Sequence, residues 1–214
     1  MGDEVKTRSY DSRRRREQAA ATRRQILEAA QRLFEEKGYV ATSMAAIAAE
    51  AGVALKTVYI AFATKRGVLL ALWNLLLRGD EEPVPVGERP WFREVVDEPD
   101  PQRKLRLNAR NSRMVKERAG TLMKILRGAA PADEEIAALR DRIQREFYAN
   151  QRLIVERLAR QASLRPELDV DRASDIMWTL NHPNVYWLLL DDRGWTAAEY
   201  EDWLGDVLCA QLLR

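Results

Sequence analysis

An all-α fold follows from three features of this 214-residue sequence. Ala, Leu, Arg and Glu dominate it, and all four are good helix formers. Apolar residues recur at three- and four-residue spacing over long stretches, and the alternation of a half-buried strand is absent. Gly and Pro together number only 18, and most of them stand between the periodic stretches rather than inside them. Apolar residues make up 46% and charged residues 32%, a balance suited to a charge-rich helical protein of one domain or two small ones.

Residues 1–16 are polar and end in Arg13-Arg14-Arg15-Arg16, which reads as a flexible basic arm. Such an arm either tracks phosphates or is a solvated tail, and composition alone leaves both open. The first helix spans 17–37, with Ile26, Ala29, Ala30, Leu33 and Phe34 on one face and Gly38 after its end. Thr42-Ser43 supplies an N-cap for a helix over 44–51, and Gly52 closes it. A helix over 55–62 follows, and Thr64 caps another from Lys65 to Arg78. Residues 80–101 hold five of the eight prolines and read as an extended loop with one short helix at 91–96. Helix resumes over 101–127 with a break near Gly120, and Pro131 opens a long helix of about thirty residues. A helix from Val170 to Asn181 breaks at His182-Pro183, resumes through Leu190 and stops at Gly194. Thr196 and Glu199 form a capping box for the last helix. This makes nine or ten helices.

The stretch Thr42–Lys65 organises the chain. Ile47, Ala48, Ala51, Val53, Val58 and Phe62 give two short helices a shared apolar interior, and Gly52 gives the sharp turn between them. Lys56, Thr57, Tyr59 and Lys65 are left to face outward. A helix-turn-helix is built this way, because its second helix presents side chains to a DNA groove while the first braces it. Charge points the same way. Residues 1–65 carry 12 Lys and Arg against 8 Asp and Glu, whereas the remainder carries 23 against 25. A basic front on a near-neutral body suits a phosphate-facing module.

Gly38-Tyr39, Ala41-Thr42-Ser43-Met44, Ile47-Ala48, Ala51-Gly52-Val53, Thr57-Val58-Tyr59, Phe62 and Lys65 together resemble the tetracycline-repressor (TetR) family of bacterial regulators. The resemblance spans about residues 22–70. It implies a helix-turn-helix DNA-binding domain over 17–64, and an effector-binding and dimerisation domain over 65–214. It implies phosphate contacts from Thr22 or Arg23 at the first helix, from the second helix at Ser43 and Met44, and from Tyr59 and Lys65. The helix from Leu55 would enter the major groove, with Lys56, Thr57 and Ile60 facing backbone or bases. Family members often carry Ser where this chain has Ala54, so the recognition helix lacks a side-chain cap. Of the outward residues only Lys56 is a strong base reader, so operator choice is expected to draw on DNA shape, methyl contacts and the basic arm.

The body offers Trp73, Met114, Met123, Tyr148, Gln151, Trp178 and His182 as candidate linings of an effector site, each of a type that also packs ordinary cores. The last two helices carry wide apolar faces. Ile176, Tyr200, Trp203, Leu204, Val207, Leu208 and Leu212 are the expected dimer interface, a four-helix bundle built on two-fold symmetry. Two recognition helices would then meet a pseudo-palindromic operator in double-stranded DNA.

Enzyme chemistry has no support in the motifs. His182 and Cys209 are the only residues of their types, which excludes the usual zinc sets, an internal disulfide and a Cys–His nucleophile pair, and no phosphate-cradling Gly loop is present. No metal or cofactor is expected. The N-terminus does not read as a signal peptide, no apolar run approaches the ~20 residues of a membrane span, and a cytoplasmic location is expected. The expected function is a dimeric repressor released from DNA by a small apolar or amphipathic ligand. The alternative is a DNA-binding regulator without small-molecule input, whose body only dimerises or meets another protein.

Overall fold

A computed structural model describes residues 3–80 and 84–214, and every element in it is helical apart from one isolated bridge between Leu164 and Leu213. It divides into two compact units, residues 1–73 and 74–214.

In the first unit α1 runs Asp3–Ala41, with a non-helical break at Gly38 (φ 78°, ψ 166°). The backbone of residues 3–16, expected as a flexible arm, is therefore helical and continuous with the rest of α1. No Gly or Pro occurs between residue 3 and residue 37, and Arg and Glu favour helix, so high charge does not interrupt it. Helices α2 (Met44–Glu50) and α3 (Leu55–Phe62) follow, meeting at 113°. The buried side chains are those the periodicity selects: Ile26, Ala29, Ala30, Leu33 and Phe34 of α1, Ile47 and Ala48 of α2, and Val58 and Phe62 of α3. Helix α4 (Lys65–Arg78) begins in this unit and ends in the next. The division thus falls near 73, not at 64, and Val68, Leu69, Leu72 and Trp73 are buried in the first turns of α4.

After the end of α4, the second unit continues with a 3₁₀ turn at Val86–Glu88 and α5 (Pro90–Asp97). Buried Arg89 clamps Asp80 in a two-pronged ion pair at 2.6 and 2.8 Å. Phe92, Val95 and Val96 of α5 join the body's core. Helix α6 runs unbroken from Pro101 to Ala129. The expected break at Gly120 does not occur. One Gly inside a helix costs only about 1 kcal/mol, and the flanking Ala119, Leu122 and Leu126 are buried. Pro131 sits in a 3₁₀ turn, and α7 (Glu134–Arg160) starts after it with Asp133 as cap, accepting from the N–H groups of Glu135 and Ile136. Helix α8 covers Val170–Leu180, and α9 (Pro183–Trp187) leads into a π-helical turn at Leu188–Asp192. Helix α10 (Ala197–Leu212) carries the expected capping box of Thr196 and Glu199.

The placement of α10 corrects the expected dimer interface. Tyr200, Leu204, Leu208 and Leu212 are fully buried within the protomer, in the core that α6 and α8 also supply. At about 1.5–3 kcal/mol per buried side chain, this face is committed to the body. Gly205 permits the close approach, since a Cβ there would lie 3.3 Å from Cγ of Arg106 on α6. Ile176, Trp203 and Val207 are only partly buried and remain on the outer side. Periodicity found the apolar face of α10, but a helix face does not say whether its own chain or a second copy covers it.

Candidate nucleic-acid interface and body cluster

The helix-turn-helix is fixed by local chemistry at both ends. Ser43 adopts extended backbone, and its Oγ accepts the N–H of Ala46 at 3.1 Å, which caps α2. Gly52 (φ 65°) then reverses the chain. Ala54 starts α3 with no side-chain cap. At the far end Ala63 has φ 58°, and Thr64 Oγ1 accepts the N–H of Gly67. This corner is tight: a Cβ on Gly67 would stand 2.1 Å from the carbonyl oxygen of Phe62.

What this scaffold presents is mostly apolar. Leu55, Tyr59 and Ile60 of α3 are 42%, 49% and 76% exposed, high values for large apolar side chains, and Lys56 is exposed beside them. Thr57 is half-buried on the same helix. Exposed apolar groups at a motif built to enter a groove fit contact with thymine methyls.

Three of the expected phosphate contacts have other occupations. Met44 is buried inside the motif. Arg23 donates from Nη1 to the carbonyl of Ala61 at 2.8 Å, and its guanidinium lies 4.1 Å over the Phe62 ring, so it clamps the end of α3 to α1. Lys65 Nζ donates to the carbonyls of Tyr39 and Thr42, both at 2.8 Å, and sits 4.3 Å over the Tyr39 ring. It gathers the α1–α2 corner against the start of α4. Thr22 remains half-exposed on α1. Because α1 begins far upstream of it, Thr22 offers its side chain and not a helix N-terminus.

In the body, Gln151 reaches the α8–α9 junction through Asn181, the neighbour of His182. Gln151 is buried and accepts from Asn181 Nδ2 at 3.0 Å. His182 caps α9, its Nδ1 accepting from the Asn184 N–H, and its ring lies 4.9 Å from that of Trp178. Burial, followed by the charges of Lys116 and Arg127, lowers the His182 pKa. Tyr148 donates to Asp175 on the surface, Met114 and Met123 are half-buried on α6, and Trp73 belongs to the other unit. The seven expected lining residues therefore do not form one cluster.

A more concentrated site was not among them. Lys116 is buried, and its Nζ donates to Asn181 O at 2.8 Å, Asn181 Oδ1 at 2.7 Å, the Tyr200 hydroxyl at 2.7 Å and Ser112 Oγ. Desolvation pushes its pKa well below the usual lysine range, and burial raises that of Tyr200. The cluster ties α6, the α8–α9 junction and α10 together. Sequence spacing held the signal: Leu105, Ala109, Ser112, Lys116 and Ala119 share one helical face. A basic segment reads as solvated surface unless the face is followed residue by residue.

Comparison with known proteins follows the same division. The family described as "Bacterial regulatory proteins, tetR family" matches residues 26–72, which hold α2, α3 and most of α4. A probable HTH-type transcriptional regulator of Pseudomonas putida, ArpR, is 30% identical over 199 residues, covering 90% of this chain and 92% of that protein. Among solved structures, NalD, the secondary repressor of the MexAB-OprM multidrug efflux pump in Pseudomonas aeruginosa, superposes with a TM-score of 0.69 at 23% identity, over 91% of this chain and 98% of that one. The complex of SmeT with triclosan gives 0.71 at 18% identity, over 91% and 92%. At those identities the solved structures speak for the fold.

Proposed function

The chain belongs to the TetR family of bacterial regulatory proteins, and from that membership we propose that it is a dimeric repressor, released from a pseudo-palindromic operator by a small apolar or amphipathic ligand. It is a DNA-binding transcriptional regulator and not an enzyme. The observation that carries the reading is the outward face of α3, where Leu55, Tyr59 and Ile60 stay exposed on a helix whose other face is buried. Leu55, Lys56, Thr57 and Ile60 read the major groove, while Tyr59, Thr22 and the Ser43 end of α2 meet backbone.

Ligand release is supported by the body's interior chemistry. Trp91 Nε1, Asn108 Nδ2 and Trp178 Nε1 are buried without an acceptor among the described residues. Buried donors in proteins are nearly always satisfied, and a bound molecule that accepts from these would satisfy them as water would. The SmeT complex holds triclosan within the same fold. Ile176, Trp203 and Val207 form the outer surface on which a second copy packs. Ligand in the body displaces α4, a helix that spans the division between the units. The displacement weakens operator binding to the extent that the ligand prefers the displaced state.

The test is selection of bound sequences from random DNA, followed by titration of the selected complex with aromatic and amphipathic compounds. Paired half-sites and a compound that lowers operator affinity are the expected results. A compound that binds tightly and leaves operator affinity unchanged would favour the regulator without small-molecule input.

A further inference from the structure

Helix α6 carries polar groups on two of its faces. One holds Lys116 and its cluster. The other holds Asn108, Asn111, Val115, Arg118 and Leu122, which stand at i, i+3, i+7, i+10 and i+14 and so share one stripe of the helix. Arg118 differs from its neighbours there. Its Nε and Nη2 are buried and have no acceptor among the described residues. Those two atoms form one edge of the guanidinium, and such an edge meets a carboxylate through two parallel hydrogen bonds. We propose that Arg118 is the anion-recognising residue of the effector site in the body, and that the effector is an amphipathic carboxylic acid. This assignment rests on the ligand-release reading and deepens it by giving the ligand a charge.

Charge separates Arg118 from the other unpaired donors. Water satisfies an amide or indole N–H. A guanidinium stays protonated, and holding its charge away from solvent is costly unless an opposite charge accompanies it. Burial pushes the Arg118 pKa below the usual arginine range. Acids close to it in sequence or beside its contacts are engaged elsewhere. Glu117 pairs with Arg113 at 2.9 Å. Asp80, which follows Gly79, accepts from both Nη atoms of Arg89 at 2.6 and 2.8 Å.

The surroundings suit the remainder of such an acid. Of the seven buried side-chain atoms without a partner among the described residues, six are N–H donors and one, Gln144 Oε1, is an acceptor. The interior is therefore short of acceptors, which a carboxylate supplies. Asn108 Nδ2 lies on the Arg118 stripe, and Asn111 Nδ2 donates to the Trp91 carbonyl at 2.8 Å, which brings a second unpaired donor, Trp91 Nε1, to the same side of α6. Buried Leu107 and Leu122 offer apolar contact there. Arg118 also touches the end of α4, since a Cβ on Gly79 would lie 2.9 Å from its Nη1. The C-terminus of a helix carries partial negative charge, so an acid on Arg118 competes with the end of α4 for the same cation.

The experiment titrates the full-length protein with decanoate and with phenylbutyrate, each against its primary amide, by isothermal titration calorimetry at neutral pH. Thermal unfolding of the ligand-free protein is followed by circular dichroism. Hydrogen bonds to a charge separate acid from amide, and the wild type is expected to prefer at least one acid over its amide by about 10- to 100-fold. Arg118→Met keeps an apolar stem and is expected to abolish that preference, while Arg118→Lys, with the charge but not the fork, retains part of it. In the ligand-free protein Arg118→Met is expected to leave the melting midpoint unchanged or to raise it, because no internal ion pair is broken.

Equal affinity for acid and amide, or no binding of either acid, would overturn the proposal, and amides that bind and weaken operator binding would leave the ligand-release reading standing. An acid preference kept in Arg118→Met would overturn it by placing the anion elsewhere. Glu81 and Glu82 follow Gly79 within three residues. A midpoint lowered alike by Arg118→Met and by Glu81→Gln with Glu82→Gln would give Arg118 a partner within the chain and overturn it too. Arg118-dependent binding of an acid that leaves operator affinity unchanged would uphold the anion site and overturn the ligand-release reading instead.

Discussion

Lys65 separates a structural from a DNA-contacting role most sharply, and Lys65→Met is the informative substitution. The family resemblance makes this ammonium a phosphate contact. In the fold its protons go to the carbonyls of Tyr39 and Thr42 at 2.8 Å, with the Tyr39 ring beneath. A hydrogen bond to a charged group contributes about 1.5–3 kcal/mol. Lys65 is only half-buried, so water recovers part of what two such bonds provide, and a net loss of about 2 kcal/mol is the reasonable figure. For a unit of this size each kcal/mol shifts the melting midpoint by about 4–8 °C, giving a fall of roughly 10 °C in the first unit's transition. Thermal unfolding followed by circular dichroism reads the first quantity. Operator titration across a salt series reads the second. The reasoning expects a less stable protein, weaker binding at every salt concentration and little change in salt slope. A slope reduced by about 0.9 in a variant as stable as the wild type would refute it and return Lys65 to the phosphate.

Gly67→Ala tests the α3–α4 corner: Ala is normally favoured over Gly in a helix by about 1 kcal/mol, but a Cβ 2.1 Å from Phe62 O cannot be accommodated without moving backbone. A net destabilisation of about 1–3 kcal/mol is expected in denaturant unfolding, and a stabilised variant would contradict the corner's geometry. Ala54→Ser restores a cap that α3 lacks and should raise stability by about 0.5–1 kcal/mol, measured as a shift in unfolding midpoint. Lys116 predicts a pH dependence. Its folded pKa lies well below the ordinary 10.5, so the unfolded chain binds the extra proton between the two values. Stability therefore rises with pH across that window, by up to about 1.4 kcal/mol per unit, and levels off above 10.5. Urea unfolding of Lys116→Met against wild type should show this slope removed. Parallel pH profiles would mean that Lys116 stays charged in the fold.

Composition and periodicity determined the helical class and most element boundaries, because caps and glycines act locally. Ser43, Thr64 and Thr196 each satisfy N–H groups within three residues of themselves, so their roles are legible without knowing the fold, whereas the helix expected to open at Pro131 starts after the Asp133 cap. Spacing also determined the buried faces of α1, α2 and α3, and the motif with its family. Tertiary structure decided what those faces meet. The apolar stripe of α10 turns inward onto α6, leaving Ile176, Trp203 and Val207 outside. Arg23 and Lys65 hold backbone carbonyls distant in sequence, and Lys116 completes a buried polar cluster with Asn181 and Tyr200. A long cationic side chain carries no mark in sequence of which acceptor it will reach. That is fixed only when packing brings carbonyls and hydroxyls from elsewhere in the chain within about 3 Å.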